Sequence, residues 1–204
     1  VKRAGEICEE FRGIVETASK AKPYCGLTVA ILNAWGSLRS WQSHMVAHEL
    51  WYQQIYSYQG ILEALSGLAV NVKFISFGEV LQKGIEKDID VIINAGDAYT
   101  AYSGGEYWAN EKLVETVRAW VREGHGFIGV GEPTAYAKNG RYFQLADVLG
   151  VDKELGFTLS EDKYNIEKKA HFITEDVKGE IDYGEGMKNV YALSGAEVLD
   201  ITFS

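Results

Sequence analysis

Asn33, Arg39, Asp97 and Glu132 are the polar side chains whose types and positions could do chemistry. Each sits on a segment that follows an apolar run: Asn33-Ala34-Trp35-Gly36-Ser37-Leu38-Arg39, Asn94-Ala95-Gly96-Asp97, and Gly129-Val130-Gly131-Glu132-Pro133-Thr134. One cation and two carboxylates, with an amide and the Trp35 indole beside them, would suit a sugar or another small polar ligand. The same residues would equally serve to cap helices, pair with one another and hold loops.

The segment Phe127 to Ala135 has the small residues of a strand–turn–helix bend, the geometry that exposes a catalytic Cys or Ser in a nucleophile elbow. Its apex falls on Val130, Gly131 or Glu132, none of which carries a thiol or hydroxyl. Cys8 and Cys25 lie far upstream, so no thiolate stands beside Glu132 to be activated. His44 and His48 share one helical face and have the spacing of a zinc pair, but Glu49 follows the second histidine instead of the first. His125 and His171 supply no completing spacing, so packed or interface histidines are the expectation, with no metal and no cofactor. Gly129-x-Gly131 lacks a third glycine and a P-loop lysine, which argues against a nucleotide site. Tyr99, Tyr102, Tyr107 and Trp108 cluster around Gly104 and Gly105, a composition that suits a protein interface or a sugar face; the interface is the favoured expectation.

The elements that would position these residues alternate. An amphipathic helix is expected over residues 2–22, with Ile7, Phe11, Ile14, Val15 and Ala18 on one face and Pro23 as its stop. Strands follow at 27–32, 72–77, 90–94 and 126–130. Helical stretches lie between them: one carrying Tyr58, Ile61, Leu62 and Leu65, one at 79–85, and one capped by Asn110 that buries Leu113, Val114, Val117, Trp120 and Val121 before Gly124. A further helix is expected at 143–149. Beyond Gly150 short strands at 157–159, 170–173 and 190–193 would extend the sheet at one edge. Strand–helix alternation over this span implies an α/β fold, an open and mostly parallel sheet with helices on both faces. In such sheets ligands gather at the carboxyl ends of the strands, where the candidate loops converge.

The 204 residues, 47% apolar, suffice for one large domain. A formal charge of −9 without a basic stripe argues against nucleic acid and anionic membrane surfaces as partners. The two cysteines form no disulfide framework, which suits a reducing cytoplasm. A chain that starts at Val1 and stops on Leu199-Asp200-Ile201-Thr202-Phe203-Ser204 reads as a piece of a longer polypeptide.

The bend at 127–135 resembles that of the class I glutamine amidotransferase-like (flavodoxin-like) superfamily, with its cysteine missing. More specifically, the stretch Ile31 to His48 continuing to Leu50-Trp51-Tyr52, together with Ile92 to Ala98 and Gly129 to Ala135, resembles the central domain of the 1,3-β-galactosyl-N-acetylhexosamine phosphorylases. These enzymes are also called galacto-N-biose/lacto-N-biose phosphorylases. The resemblance implies a parent enzyme that cleaves galactosyl-β-1,3-N-acetylhexosamine with inorganic phosphate, giving galactose 1-phosphate and the free N-acetylhexosamine. It also implies a catalytic barrel upstream, so that residues 1–26 are a helix and linker from it and 27–204 are the amidotransferase-like domain. No catalytic residue is carried over to this chain. Its expected partners are the other domains of the same polypeptide and further copies in a homo-oligomer, and its expected role is subunit association or covering the active site. A stand-alone amidotransferase-like hydrolase using Glu132 and Asp97, or a sugar-binding module, are the alternatives.

Overall fold

Asp90 to Gly96 and Thr28 to Asn33 are branched, apolar runs with almost no alternation, which fits strands covered on both sides. A computed structural model describes residues 2–21, 26–34, 50–153, 169–179 and 190–199. Within them β1 (Thr28–Asn33), β2 (Asn71–Ser76), β3 (Val91–Gly96) and β4 (Gly126–Gly131) form one four-stranded sheet in the order β2-β1-β3-β4. Every pairing in it is parallel. The chain builds outward from β1 to β2 and then returns to the other side of β1 with β3. The reversal opens a crevice at the carboxyl ends of β1 and β3, the switch point of a doubly wound sheet.

Both faces are covered. Ala30, Leu32 and Ile92 pack with Phe77 and Val80 of α3 (Phe77–Lys83), Trp108, and Leu113, Val117 and Trp120 of α4 (Glu111–Arg122). On the opposite face Val29, Ile93 and Ala95 lie under Ile61 and Leu65 of α2 (Leu50–Ser66). The expected mostly parallel α/β sheet with helices on both faces is therefore the fold.

Local chemistry sets the boundaries. Asn110 caps α4 as expected, accepting from the backbone N–H of Lys112 at 3.0 Å and of Leu113 at 3.4 Å. The second strand stops one residue earlier than expected because Ser76 is a helix cap: its hydroxyl accepts from the Glu79 N–H at 3.1 Å, and the Glu79 carboxylate accepts from the Ser76 N–H at 3.0 Å. Phe77 thus opens α3 instead of closing β2. Gly84, at φ 78°, ends that helix before Ile85. The expected first helix is present as α1 (Lys2–Lys20), but it buries none of its residues.

Past β4 the sequence reading needs correction. Residues 143–149 are not one helix. β5 (Ala135–Lys138) and β6 (Arg141–Phe143) form an antiparallel hairpin, and only Ala146–Leu149 is helical, as α5. The hairpin turns on Asn139 and Gly140, both at positive φ (54° and 76°), which matches strand twist. β7 (Val151–Lys153) and β8 (Val190–Ala192) pair antiparallel in a ladder of their own and do not extend the parallel sheet. Residues 170–173 are turn and irregular backbone, not strand; the Thr174 hydroxyl accepts from the His171 N–H at 3.2 Å and donates to the Lys169 carbonyl at 2.7 Å. The strand expected at 157–159 lies outside the described residues.

Candidate functional site at the carboxyl ends of the strands

Each strand end at the crevice is fixed by a short-range device. The Asn33 amide, at the end of β1, donates to the Ile75 carbonyl at 3.2 Å, and the next residue, Ala34, donates its N–H to Ala101 at 2.8 Å. That bond draws the loop after β3 across β1. Inside the loop the Asp97 carbonyl accepts from the Thr100 hydroxyl at 2.7 Å and the Ser103 hydroxyl at 2.6 Å. Gly96 stands at φ 119°, and a Cβ there would fall 2.6 Å from that of Tyr102, so only glycine fits the start of this turn.

Asn94, fully buried in β3, joins two loops. Its amide nitrogen donates to the Ser103 carbonyl at 3.0 Å and its oxygen accepts from the Thr134 N–H at 2.8 Å. Trp108 donates to the same Ser103 carbonyl at 2.6 Å. The bend after β4 is held against β3 by the Glu132 N–H, which donates to the Gly96 carbonyl at 2.9 Å.

Glu132 is 5% exposed, and its carboxylate is the hub of the bend. One oxygen accepts from the Ala98 N–H at 3.0 Å. The other accepts from the Tyr142 hydroxyl at 3.0 Å and from the Lys153 ammonium at 2.7 Å. Lys153 also lies 4.6 Å above the Tyr142 ring. Burial, and then the adjacent Glu132 charge, push the Tyr142 phenol well above its usual range. These donors use the carboxylate as a structural acceptor that ties β4, the β3 loop, the hairpin and β7 together.

The strained residue of the bend is Thr134, at φ 57°, a conformation that a β-branched side chain rarely adopts. An elbow nucleophile would stand exposed at such a position; the Thr134 side chain is instead fully buried, its hydroxyl accepting from the Leu145 N–H at 3.3 Å.

Of the candidates named from sequence, Asn33, Asp97 and Glu132 come together on the adjacent ends of β1, β3 and β4, with Asn33 and Asp97 half-buried. Trp35, Arg39, His44 and His48 lie outside the described residues. The aromatic loop departs from its expected interface role. Trp108 is fully buried, Tyr107 stacks on Phe77 at 5.1 Å, and Tyr102 sits 5.2 Å from Tyr58 of α2. Gly104 is needed there, since a Cβ would strike the Phe77 ring at 2.3 Å. The loop's aromatics are spent on the domain's own core; Tyr99, 39% exposed, is the partial exception. Tyr58 is buried, and that burial, with the neighbouring Tyr102, pushes its phenol up to about 12. His125 lies flat on Trp120 at 4.5 Å. Among the described residues no group of His, Cys, Asp and Glu is placed to hold a metal ion, and no helix is long and apolar enough to cross a membrane.

Tyr142, Lys153, Asn94 and Thr134 are the residues of this region that sequence reasoning missed. Asn94 and Thr134 stood in the quoted loops without an assigned role, whereas Lys153 reaches Glu132 from 21 residues downstream with no motif to announce it.

Comparison with known proteins places these loops in a family. Residues 28–202 match the lacto-N-biose phosphorylase central domain. The chain is 54% identical over 195 residues to a 1,3-beta-galactosyl-N-acetylhexosamine phosphorylase of Lachnoclostridium phytofermentans, covering 95% of this chain and 27% of that protein. It is 56% identical over 174 residues to a 1,3-beta-galactosyl-N-acetylhexosamine phosphorylase of Bifidobacterium longum subsp. longum, covering 84% of this chain and 23% of the relative. A D-galactosyl-beta-1->4-L-rhamnose phosphorylase of Lachnoclostridium phytofermentans is 36% identical over 200 residues, 95% of this chain and 26% of its own length. The chain thus spans about a quarter of the length of these relatives. With the match running from β1 to the last residues of the chain, it belongs to the lacto-N-biose phosphorylase central domain family.

Proposed function

We propose that this chain is the non-catalytic central domain of a phosphorylase that cleaves galactosyl-β-1,3-N-acetylhexosamine with inorganic phosphate, releasing galactose 1-phosphate and the N-acetylhexosamine. The names of the relatives at 54% and 56% identity support the substrate class. The observation that carries the non-catalytic role is the engagement of Glu132: its two oxygens accept from Ala98, Tyr142 and Lys153 at a bend whose apex bears no thiol or hydroxyl. A general acid or base must exchange its proton with substrate, and a carboxylate held by an ammonium, a phenol and a backbone amide is committed elsewhere.

In this reading the fold is a class I glutamine amidotransferase-like domain over residues 27–204 that has lost its nucleophile, and residues 1–26 connect it to an upstream catalytic barrel. The strand order and the tight bend after β4 support that class. Its work is to contact neighbouring domains and subunits of a cytoplasmic homo-oligomer and to set one loop near the active site. Arg39 is the residue assigned to that loop, since a guanidinium would meet phosphate or a sugar hydroxyl. Arg39→Ala in the whole polypeptide is expected to raise the KM for phosphate or disaccharide while leaving the fold intact. Unchanged kinetics would remove Arg39 from the site. Hydrolysis of glutamine by the 204-residue chain, abolished by Glu132→Ala, would overturn the non-catalytic reading itself.

A further inference from the structure

Two apolar surfaces of the described chain lack a cover. The first is the stripe on α1: Ile7, Phe11, Ile14 and Val15 are 45 to 62% exposed, and the helix buries no residue at all. At 100° per residue these four side chains share one face, while Lys2, Glu9, Glu16 and Lys20 fall on the opposite one. A lone helix of this length with such a stripe is marginal in water, because helix stability comes mainly from packing the apolar face.

The second surface is the outer flank of the sheet. Val72 pairs with Val29 and Phe74 with Ile31, so both point to the face that α2 covers. There α2 packs on Val29, Ile93 and Ala95 and leaves β2, an edge strand, half bare. Val72 is 39% and Phe74 56% exposed; Leu27 and Leu68, at the foot of the same two strands, are 57% and 59% exposed.

We propose that α1 folds back across β2 of its own chain and seats Ile7, Phe11, Ile14 and Val15 on Leu27, Leu68, Val72 and Phe74. Chain geometry favours this occupant. Residues 21–27 join α1 to β1, and at about 3.3–3.6 Å per residue they reach up to roughly 25 Å. Thr28, where they end, is paired with Asn71, the first residue of β2, so the flank begins about one strand spacing away. The helix is about 28 Å long and β2 about 20 Å, so one element spans the other. A tether this short holds the stripe at an effective concentration on the order of millimolar, well above what a second copy offers at micromolar protein. The inference does not depend on the proposed function.

Disulfide trapping in the 204-residue chain tests it, on a Cys8→Ser, Cys25→Ser background that carries Phe11→Cys with either Val72→Cys or Phe74→Cys. Under mild oxidation at least one pair is expected to give a bridged product of single-chain mass. Bridges formed only between two chains would make a second copy the occupant, and no bridge in either pair would leave the stripe for a different partner; each result overturns the proposal. As a check without engineered thiols, Phe11→Asp is expected to speed amide exchange in α1 by about tenfold or more. Exchange there unchanged from the parent chain would count against docking.

Discussion

Lys153 reaches 2.7 Å to the carboxylate of Glu132 from a strand 21 residues further along the chain, and so fastens β7 to the bend that closes the parallel sheet. The pair sits under the Tyr142 ring and beside the crevice, with the Glu132 side chain 7% and the Lys153 side chain 26% exposed.

Removing one member leaves the other largely dry and unpaired, which is the costly way to break such a bridge. Lys153→Met is expected to lower stability by about 2–4 kcal/mol, the partial exposure of the ammonium keeping it toward the low side of buried pairs. Urea unfolding of the chain with and without the substitution measures it. A change below about 0.5 kcal/mol would mean that the bend does not depend on the bridge.

Tyr58 gives an alkaline signature. Its phenol is pushed up to about 12 from the ordinary 10.0, so the folded state holds a proton that the unfolded chain releases first. Its contribution is complete below about pH 10 and is lost as pH rises through about 12. Tyr142, shifted in the same direction by burial and by Glu132, acts with the same sign. The urea midpoint is therefore expected to fall steeply above pH 10, and Tyr58→Phe should flatten that fall relative to its own value at pH 8.

The parallel sheet was legible because its signals are local. β1 and β3 are unbroken apolar runs, and Asn110 caps α4 as its position announces. Three features were missed for different reasons. Phe77 reads as strand by type, but the Ser76–Glu79 capping box, spaced three apart, outweighs that preference. Lys138-Asn139-Gly140-Arg141 carries a strong hairpin signal that apolar spacing at 143–149 obscured. Lys153 is the third: no short-range pattern marks a partner that only the tertiary fold brings to Glu132. The aromatic loop was misjudged because Tyr and Trp satisfy a core as readily as an interface once Ser103 accepts the indole N–H.

Asn94 carries two loops on one amide. Replacing it with alanine strips a partner from the buried Ser103 carbonyl and orphans the Thr134 N–H. A loss of about 2–4 kcal/mol is expected. Asn94→Asp retains the acceptor for Thr134 but has no donor for Ser103, so hydrogen exchange should loosen the 97–104 loop more than the 132–134 bend. Equal loosening of both would contradict the division of labour.

Gly96 is a steric test of the same region. With φ at 119° and only 2.6 Å between a new Cβ and that of Tyr102, Gly96→Ala is expected to destabilise the chain by about 1–3 kcal/mol. Gly84→Ala, also at positive φ but with open space around it, separates the backbone cost from the clash and should be the milder change.

The central claim is that phosphorolysis belongs to the longer polypeptide and that this domain supports it without reacting. Release of galactose 1-phosphate from galactosyl-β-1,3-N-acetylglucosamine and inorganic phosphate, followed for the whole polypeptide and for the 204-residue chain alone, tests it most directly. The account predicts turnover by the whole polypeptide and none by the chain. Galactose 1-phosphate formed by the isolated chain, or a whole polypeptide inert toward this disaccharide, would contradict it.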